Sequence, residues 1–432
     1  ARAALTAAHR SMADDDSSAP SVEETLQAMR ARSALRNLET TPTSALDTLR
    51  EIVDSDPMDL ALVIDEETIQ PLLAFLDAAD PLAFPALWPE NAETVRSMLL
   101  KVTDGHSKAA TELVVISIVN DMLLHDSIKS KTTAACLLAK IIGNTNTGPH
   151  PTTVVAAVNR SVIAAAGAID PLVELLRTGG DRAGVAYWAA SALGKLAIGN
   201  VEIMVAIVEA GAAGPLIELL NFGDIPHNNV IRARAAWAIF TLVYDHSRNA
   251  VAFFAAGAVR PLLDAMAFID NGDDDGEAVT GAVEHLARGA DSIARGLIEA
   301  GAVDALIDLL GESDDLNTVG NILRTLVALI KVSEREVLAQ LVALLRRGSA
   351  GSRAAAARAL EALAAGVLAR GGFDPEHPPL AGAIVRAGAI RALLDLVQQG
   401  DAYDTAYGMS AAIAAIDEIS RNSADEAAAS AD

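Results

Sequence analysis

The chain repeats itself, because a motif of eleven residues returns at a spacing of about 44 residues. Each copy begins with Ala-Gly-Ala and continues into a run of Leu, Val or Ile that contains an acidic residue. Five copies are clear, and they span 166–176, 210–220, 256–266, 300–310 and 387–397. The last gap covers two periods, and Leu341–Leu345 has the pattern of a degenerate copy without its Ala-Gly. A period in the forties indicates stacked supersecondary units.

Each period is predicted to contain three helices. A motif glycine such as Gly211 follows a short apolar segment and supplies a sharp turn, since glycine adopts backbone conformations that a Cβ disfavours. Pro215 follows at the start of the next run, where a helix tolerates the missing amide donor. A longer run comes after a loop, as in Ala183–Ala197 and Asn229–Tyr244. No single unit can bury both faces of its helices, so we expect an all-α solenoid.

This pattern, with long third helices such as Arg234–Val243, resembles the armadillo repeat family over roughly residues 50–422. The resemblance implies an all-α, right-handed α–α superhelix of about eight three-helix repeats, with weaker copies at 69–76 and near 113–124. We assign the solenoid to residues 46–422. The polar or Ala-rich ends are predicted to be an N-terminal disordered or capping segment, 1–45, and a disordered C-terminal tail, 423–432.

Charge limits the classes of partner. The chain has 33 basic and 57 acidic residues, for a formal net charge of −24. A surface for nucleic acid or anionic lipid needs positive potential, so we expect neither kind of partner. Aromatic residues are only 3% of the chain although hydrophobic residues are 51%, which favours packing of small aliphatic side chains between helices.

The single cysteine, Cys136, excludes an internal disulfide and favours a reducing compartment, so a cytoplasmic or nuclear location is expected. No apolar stretch reaches the length of a membrane span, because even 354–369 is interrupted by Arg358 and Glu361. We therefore expect a soluble protein. Cys136 also lies one turn from Lys140, so its sequence context allows either an activated thiol or a small packed hydrophobe.

In the importin and catenin branches of the family, the third helices line a concave groove, and an Asn near the end of each binds a peptide backbone. No Asn stands at the matching positions of this chain, which are Lys140, Lys195, Thr241, His285, Thr325 and Ala362. This departure counts against importin-like capture of a basic peptide.

The same predicted helix faces carry cations and tryptophans in an otherwise acidic chain. We expect them to form a partner-binding groove for an acidic or amphipathic protein segment, through charge-assisted bonds and aromatic stacking. The alternative is that the cations face solvent on the inner wall and the rings fill gaps between helices. The candidate groove residues are Lys140, Trp188, Lys195, Arg234, Trp237, Asn321 and Arg358.

Signatures of catalysis and metal binding are weak in the sequence. Asn271–Gly276 resembles the first half of a calcium-binding loop, but Ala282 stands where a bidentate Glu should close the shell. The chain contains no phosphate-binding glycine loop, zinc-protease motif or nucleophile elbow. We therefore expect no enzyme activity, no cofactor and no metal.

The sequence favours a non-catalytic scaffold or adaptor that binds proteins or peptides through the concave groove. Fold alone does not fix function, so other classes stay open. The resemblance also implies two alternatives: a substrate-recruiting part of a ubiquitin ligase, or a vacuole-associated or nuclear-transport adaptor of importin-α type.

Overall fold

The computed structural model divides into two compact units. The N-terminal unit comprises 1–219 and 225–242, and the C-terminal unit comprises 220–224 and 243–432. The residues that the structure describes are 22–38, 40–55, 66–78, 90–103, 108–125, 127–143, 154–179, 183–221, 228–266, 275–313, 315–368, 372–373, 380–398 and 403–429.

All secondary-structure elements among the described residues of the N-terminal unit are helices. Its helices are α1 (Val22–Asn37), α2 (Pro42–Ser55), α3 (Glu66–Ala78), α4 (Glu90–Val102), α5 (Lys108–Ser117, continued by a π-helical turn over Ile118–Leu123), α6 (Ile128–Ile141), α7 (Val154–Ala165), α8 (Ile169–Gly179), α9 (Ala183–Ala197), α10 (Val201–Glu209), α11 (Ala213–Leu220) and α12 (Asn228–Val243).

The C-terminal unit continues the same pattern and adds one short antiparallel strand pair, in which Val367 pairs with Phe373. Its elements are α13 (Ser247–Ala255), α14 (Val259–Met266), α15 (Asp275–Gly289), α16 (Asp291–Glu299), α17 (Ala302–Glu312), α18 (Leu316–Arg347), α19 (Ala350–Ala365), β1 (Val367–Leu368), β2 (Gly372–Phe373), α20 (Ala381–Arg386), α21 (Ala389–Gln398) and α22 (Tyr403–Ala429).

The predicted three-helix period is confirmed, and a glycine turns the chain between the first and second helix. Gly211 follows α10 with φ +88°, and the amide of Ala212 donates to the carbonyl of Ile207 at 3.3 Å. This left-handed cap satisfies carbonyls that the end of a helix leaves free. The glycines of all five clear motif copies share the conformation, with φ between +79° and +88°: Gly167, Gly211, Gly257, Gly301 and Gly388.

The second helices explain the Leu-rich motif. In α8, Leu172 and Leu176 are buried while Glu174 is exposed. The same division recurs in α17, where Leu306 and Leu310 are buried and Asp308 is exposed. Each fully buried leucine contributes roughly 1.5–3 kcal/mol, so the aliphatic positions of the motif form the continuous core of each unit.

One repeat departs from the three-helix pattern. The degenerate copy at Leu341–Leu345 lies in the second half of α18, and no separate first helix precedes it. The backbone leaves helical geometry only at Ser333, with φ −147° and ψ 68°, and the helix then restarts. The Ser333 hydroxyl donates to the Glu336 carboxylate at 3.1 Å, in the spacing of a capping box. The chain therefore passes from a third helix into a second helix within one continuous element.

Both predicted end segments contain helix. Within the segment 1–45, α1 is helical and packs against α2, with Leu35 and Leu38 buried, and residues 1–21 lie outside the described residues. At the other end α22 continues to Ala429, so residues 423–429 of the predicted disordered tail are helical. The alanines of this stretch have the highest intrinsic helix propensity, which accounts for the extension.

A matched pair of glycine substitutions tests the turn. In Gly167→Ala the new Cβ would meet no atom within 4 Å, but φ is +81°, so we expect a loss of roughly 1–2 kcal/mol in the free energy of unfolding. In Gly214→Ala the surroundings are equally open and the backbone is helical, so stability should stay unchanged or rise slightly. Urea unfolding of both variants measures the difference, and equal stabilities would contradict the role assigned to the turn.

Candidate functional site

Third helices of the N-terminal unit bring cations and aromatic rings together. We call Lys140, Tyr187, Trp188, Arg234 and Trp237 the cation–aromatic cluster; they lie on α6, α9 and α12. Successive third helices pack against one another, as α6 does against α9. Equivalent positions of neighbouring repeats therefore lie side by side, which explains why residues far apart in sequence share one face.

Alternating contacts between cations and rings hold the cluster together. The Lys140 Nζ lies 5.7 Å from the ring centroid of Trp188. The Arg234 guanidinium carbon lies 5.0 Å from the Tyr187 ring and 5.3 Å from the Trp237 ring. Tyr187 and Trp188 meet edge to face at 4.9 Å. Each cation–ring contact contributes roughly 0.5–2 kcal/mol, so the cluster is ordered without a ligand.

Two residues of this site were missed by the sequence analysis. Tyr187 accepts a hydrogen bond from Arg234 Nη2 at 3.1 Å, across 47 residues of sequence. Gly194 makes room for Trp237, because a Cβ on that glycine would lie 2.5 Å from the Trp237 ring. Both pairs are separated by nearly one repeat period, which is the signal that could have identified them.

Lys195, predicted as a groove cation, is only 5% exposed. Its ammonium group donates to the carbonyls of Ala139 at 3.1 Å and Gly143 at 2.9 Å, at the C-terminal end of α6. A cation at that end is favoured by the helix dipole. Burial, together with the nearby charges of Lys140 and Arg234, lowers the pKa of Lys195 to about 8. Lys195 thus joins two repeats and adds positive charge beneath the cluster.

Buried polar atoms without hydrogen-bond partners mark this face. They include the Nε1 of Trp188, the Nε of Arg234 and the Oγ1 of Thr133. The three residues stand at corresponding positions of successive third helices. Unpaired buried polar groups carry a desolvation cost of about 1–3 kcal/mol each, so these three atoms lower the stability of the packing beneath this face.

Cys136 lies beneath the same face and is fully buried. Burial raises the pKa of its thiol to about 12, although Lys140, Arg96 and Lys195 act in the opposite direction. Because a thiolate is the reactive form, the interpretation as a packed hydrophobe is confirmed over that of an activated thiol.

The other two predicted groove residues lie in the C-terminal unit. Asn321 is 5% exposed, and its Nδ2 donates to the carbonyl of Glu277 at 3.1 Å and to the hydroxyl of Thr280 at 3.2 Å. Arg358 Nη1 donates to the carbonyl of Leu310 at 3.4 Å. Both side chains therefore reach the preceding repeat, and their role in partner binding stays a prediction.

A second charged group in the C-terminal unit surrounds Glu284, which is 2% exposed. Its carboxylate contacts Arg288 at 3.2 Å and Arg324 at 3.0 Å. The neighbouring His285 accepts the Asp245 amide at its Nδ1 at 3.1 Å. Burial lowers the pKa of His285, partly opposed by Glu284 and Asp245, and this agrees with a neutral ring that accepts a hydrogen bond. The carboxylates of Glu284 and Asp245 balance the guanidinium groups of Arg288 and Arg324. We therefore interpret this group as a structural network.

No group of three His, Cys, Asp or Glu side chains among the described residues is arranged to hold a metal ion. Within the same residues no single helix has the length and apolar composition of a membrane span, while two helix pairs bent by 78° and 82° pass that test as pairs.

The pKa of Lys195 predicts how stability depends on pH. The folded pKa is about 8 and the ordinary value is 10.5, so between these values the unfolded chain binds more protons than the folded one. Stability therefore rises with pH across this window. Relative to Lys195→Met, we expect the wild-type free energy of unfolding to increase by about 2–3 kcal/mol between pH 7 and pH 10.

Urea unfolding at several pH values measures this difference. Lys331→Met, which removes an exposed lysine of the C-terminal unit, is the control for loss of a surface ammonium group. A difference between wild type and Lys195→Met that stays constant from pH 7 to pH 10 would contradict the buried, carbonyl-bound ammonium.

The chain matches no model of a known protein family and no curated protein. Among solved structures, the crystal structure of an engineered protein is similar over 92% of this chain and 95% of that chain, at 20% identity and a TM-score of 0.50. A designed armadillo repeat protein covers 60% of this chain and 99% of its own, at 24% identity and a TM-score of 0.45. Another, in complex with the peptide (KR)4, covers 58% and 99%, at 23% identity and a TM-score of 0.36.

Similarity to the engineered protein at this identity concerns the fold alone. The helical repeats observed here supply the local detail, since a left-handed glycine turns the first helix into the second in the five clear motif copies, and third helices such as α6 and α9 pack against one another. The chain has an armadillo-like repeat fold.

Proposed function

We propose that the chain is a non-catalytic protein-interaction scaffold whose cation–aromatic cluster binds an acidic or amphipathic segment of a partner protein. A repeat fold offers extended surface, and the choice of partner is made by the chemistry of one face. A buried free cysteine fits the cytoplasmic or nuclear location that forms part of this proposal.

The partly exposed cations of the cluster carry the proposal. Lys140 and Arg234 are partly exposed, and their charged groups contact only aromatic rings and the Tyr187 hydroxyl within the cluster. Carboxylates are the strongest acceptors that a protein partner can offer, and their bonds to a guanidinium are charge-assisted. An acidic side chain that reaches Arg234 would therefore gain a bond that is absent in the free protein.

Charge contrast supports an acidic partner. Lys140, Lys195 and Arg234 lie close enough for their charges to affect one another, whereas the whole chain has a net charge of −24. An acidic segment is thus attracted to this face and repelled by most of the remaining surface. Such a contrast orients the encounter and disfavours other binding positions.

The rings supply the second part of the recognition. Trp237 is partly exposed and has a cation on one side, so its ring can contact apolar side chains of the partner. Partially exposed Trp and Arg side chains often dominate binding energy at protein interfaces. A segment that alternates acidic with aliphatic residues could bond to the cations and pack against the rings.

Fluorescence anisotropy with three labelled peptides of equal length tests the proposal. Their sequences are Glu-Leu, Gln-Leu and Lys-Leu repeats, so apolar content is constant and only charge varies. We expect the acidic peptide to bind at least tenfold more tightly than the other two, and its affinity to fall as salt screens the charges. Equal binding of the three peptides would contradict an acidic preference.

Protein variants locate the binding face. A Lys140→Gln, Arg234→Gln double variant should weaken binding of the acidic peptide by at least about tenfold, or 1.4 kcal/mol. Arg295→Gln removes an exposed cation of α16 and should have little effect. Circular dichroism confirms that the helices persist. If the double variant retains wild-type affinity, the cluster is not the binding face.

A further inference from the structure

A cavity in the C-terminal unit lies at the repeat that has no first helix. In that repeat the chain passes through Ser333 directly into the second half of α18, which serves as the second helix, and α19 is the third. The intact first helices of this unit indicate the size of the missing element, since α13 and α16 contain nine residues each and α20 contains six.

First helices have a fixed place in this unit. Helix α16 packs against α15, the preceding third helix, and against α18, which contains the third helix of its own repeat. Helix α20 likewise packs against α19 before it and α22 after it. A first helix thus lies between two successive third helices. Neighbouring first helices also touch, because a Cβ on Gly296 of α16 would lie 2.7 Å from the Phe254 ring of α13.

The cavity has a volume of about 560 Å³ and lies between the corresponding pair of third helices. Its wall comes from the first half of α18, the end of α19 and the residue that precedes α20. We call it the first-helix cavity, and its lining residues are Leu323, Val327, Ile330, Lys331, Val332, Glu334, Ala362, Leu363, Gly366 and Leu380. Its position matches the one that first helices occupy in the intact repeats.

We propose that the first-helix cavity binds a short amphipathic helix of a partner protein. The walls are mainly aliphatic, as are the faces of the first helices that pack at equivalent positions. In α16 that face consists of Ile293, Ala294, Leu297 and Ile298, all buried. A partner helix of about two turns with the same pattern would complete the row of first helices. This proposal does not depend on the cation–aromatic cluster, which lies in the other unit.

Charge at the rim specifies the partner further. Lys331 is exposed and has no ion-pair partner among the residues that the structure describes. The other charged lining residue, Glu334, contacts Arg386 at 3.6 Å. The rim therefore presents one uncompensated positive charge, so the partner helix should carry an acidic residue beside its apolar face. The terminal acids of α16, Asp291 and Glu299, show that such a helix suits this fold.

A small apolar molecule is the competing occupant, since pockets of this volume also hold small ligands. Position favours the helix, because the cavity lies between the two third helices that an intact first helix would contact. Binding of a helical peptide and of an apolar dye distinguishes the two occupants.

The test uses the full chain and a labelled peptide with the sequence Ala290–Gly301, which contains α16. Isolated helices of this length are marginal in water, so a cross-link between positions 295 and 299, both exposed in α16, holds it helical. A control peptide carries Ile293→Asp and Leu297→Asp. Fluorescence anisotropy should show at least tenfold tighter binding of the first peptide.

Variants of the protein locate the peptide. Ala362 lines the cavity and is partly exposed, so Ala362→Trp fills the space and should weaken binding at least tenfold. Ala339→Trp adds the same ring to an exposed position of α18 outside the lining and should leave binding unchanged. Lys331→Glu changes only an exposed charge and should weaken binding several-fold, which keeps the test decisive if Ala362→Trp unfolds.

The outcomes separate the occupants. Tight binding that is lost in Ala362→Trp and weakened in Lys331→Glu supports the proposal. Binding that survives both variants places the peptide elsewhere and overturns it. Displaceable binding of the apolar dye anilinonaphthalene sulfonate, without binding of the helical peptide, also overturns it and assigns the cavity to a small ligand.

Discussion

The arrangement depends on one backbone turn, in which a glycine with positive φ redirects the first helix into the second helix in all five clear copies of the motif. The two bent helix pairs that surround Gly167 and Gly211 make angles of 78° and 82°, so the turn has nearly the same geometry in successive repeats. Because the turn recurs, the leucines of the second helices are buried in the core of each unit, and successive third helices within a unit pack against one another. Short-range backbone chemistry thus sets the long-range order, and burial of Leu, Ile, Val and Ala between repeats supplies the stability.

Third helices use their polar residues mainly to bind each other. Lys195 donates to the end of α6, and Asn321 donates to α15, in each case the preceding third helix. His285 accepts an amide just beyond the end of α12. Buried polar groups need partners, and the neighbouring helix end offers unpaired carbonyls and amides at the right distance. Lys195 and His285, which the sequence places near the ends of their third helices, are therefore engaged within the protein, and the proposed recognition of a partner falls to the rings and cations nearby.

Sequence alone revealed the period, the glycine turn and the third-helix faces, because each of these restricts residue type strongly. A left-handed backbone selects glycine, and a packed helix face selects aliphatic residues at fixed spacing. It did not reveal that Lys195 is buried, because the choice between a solvated and a carbonyl-bound ammonium depends on where the end of α6 lies in space. The roles of Tyr187 and Gly194 were not predicted for a related reason, since each depends on contact with a residue about one repeat away. The capping-box spacing that begins at Ser333 could have predicted that a helix starts there. The absence of a first helix before Ser333 could not be predicted from the sequence pattern.

The loss of that first helix illustrates how a repeat protein tolerates change. Stability in such a fold is approximately a sum of terms within repeats and between neighbours, so one missing element removes only its own contacts. The second and third helices of the affected repeat keep their buried faces, with Leu338 and Leu341 in the core on one side and Leu360 on the other. What remains is the apolar surface that the absent helix would have covered, bounded by helices whose positions are fixed by their other contacts. A deletion in a stacked architecture can therefore create a preformed binding site, because the surrounding repeats hold its walls apart.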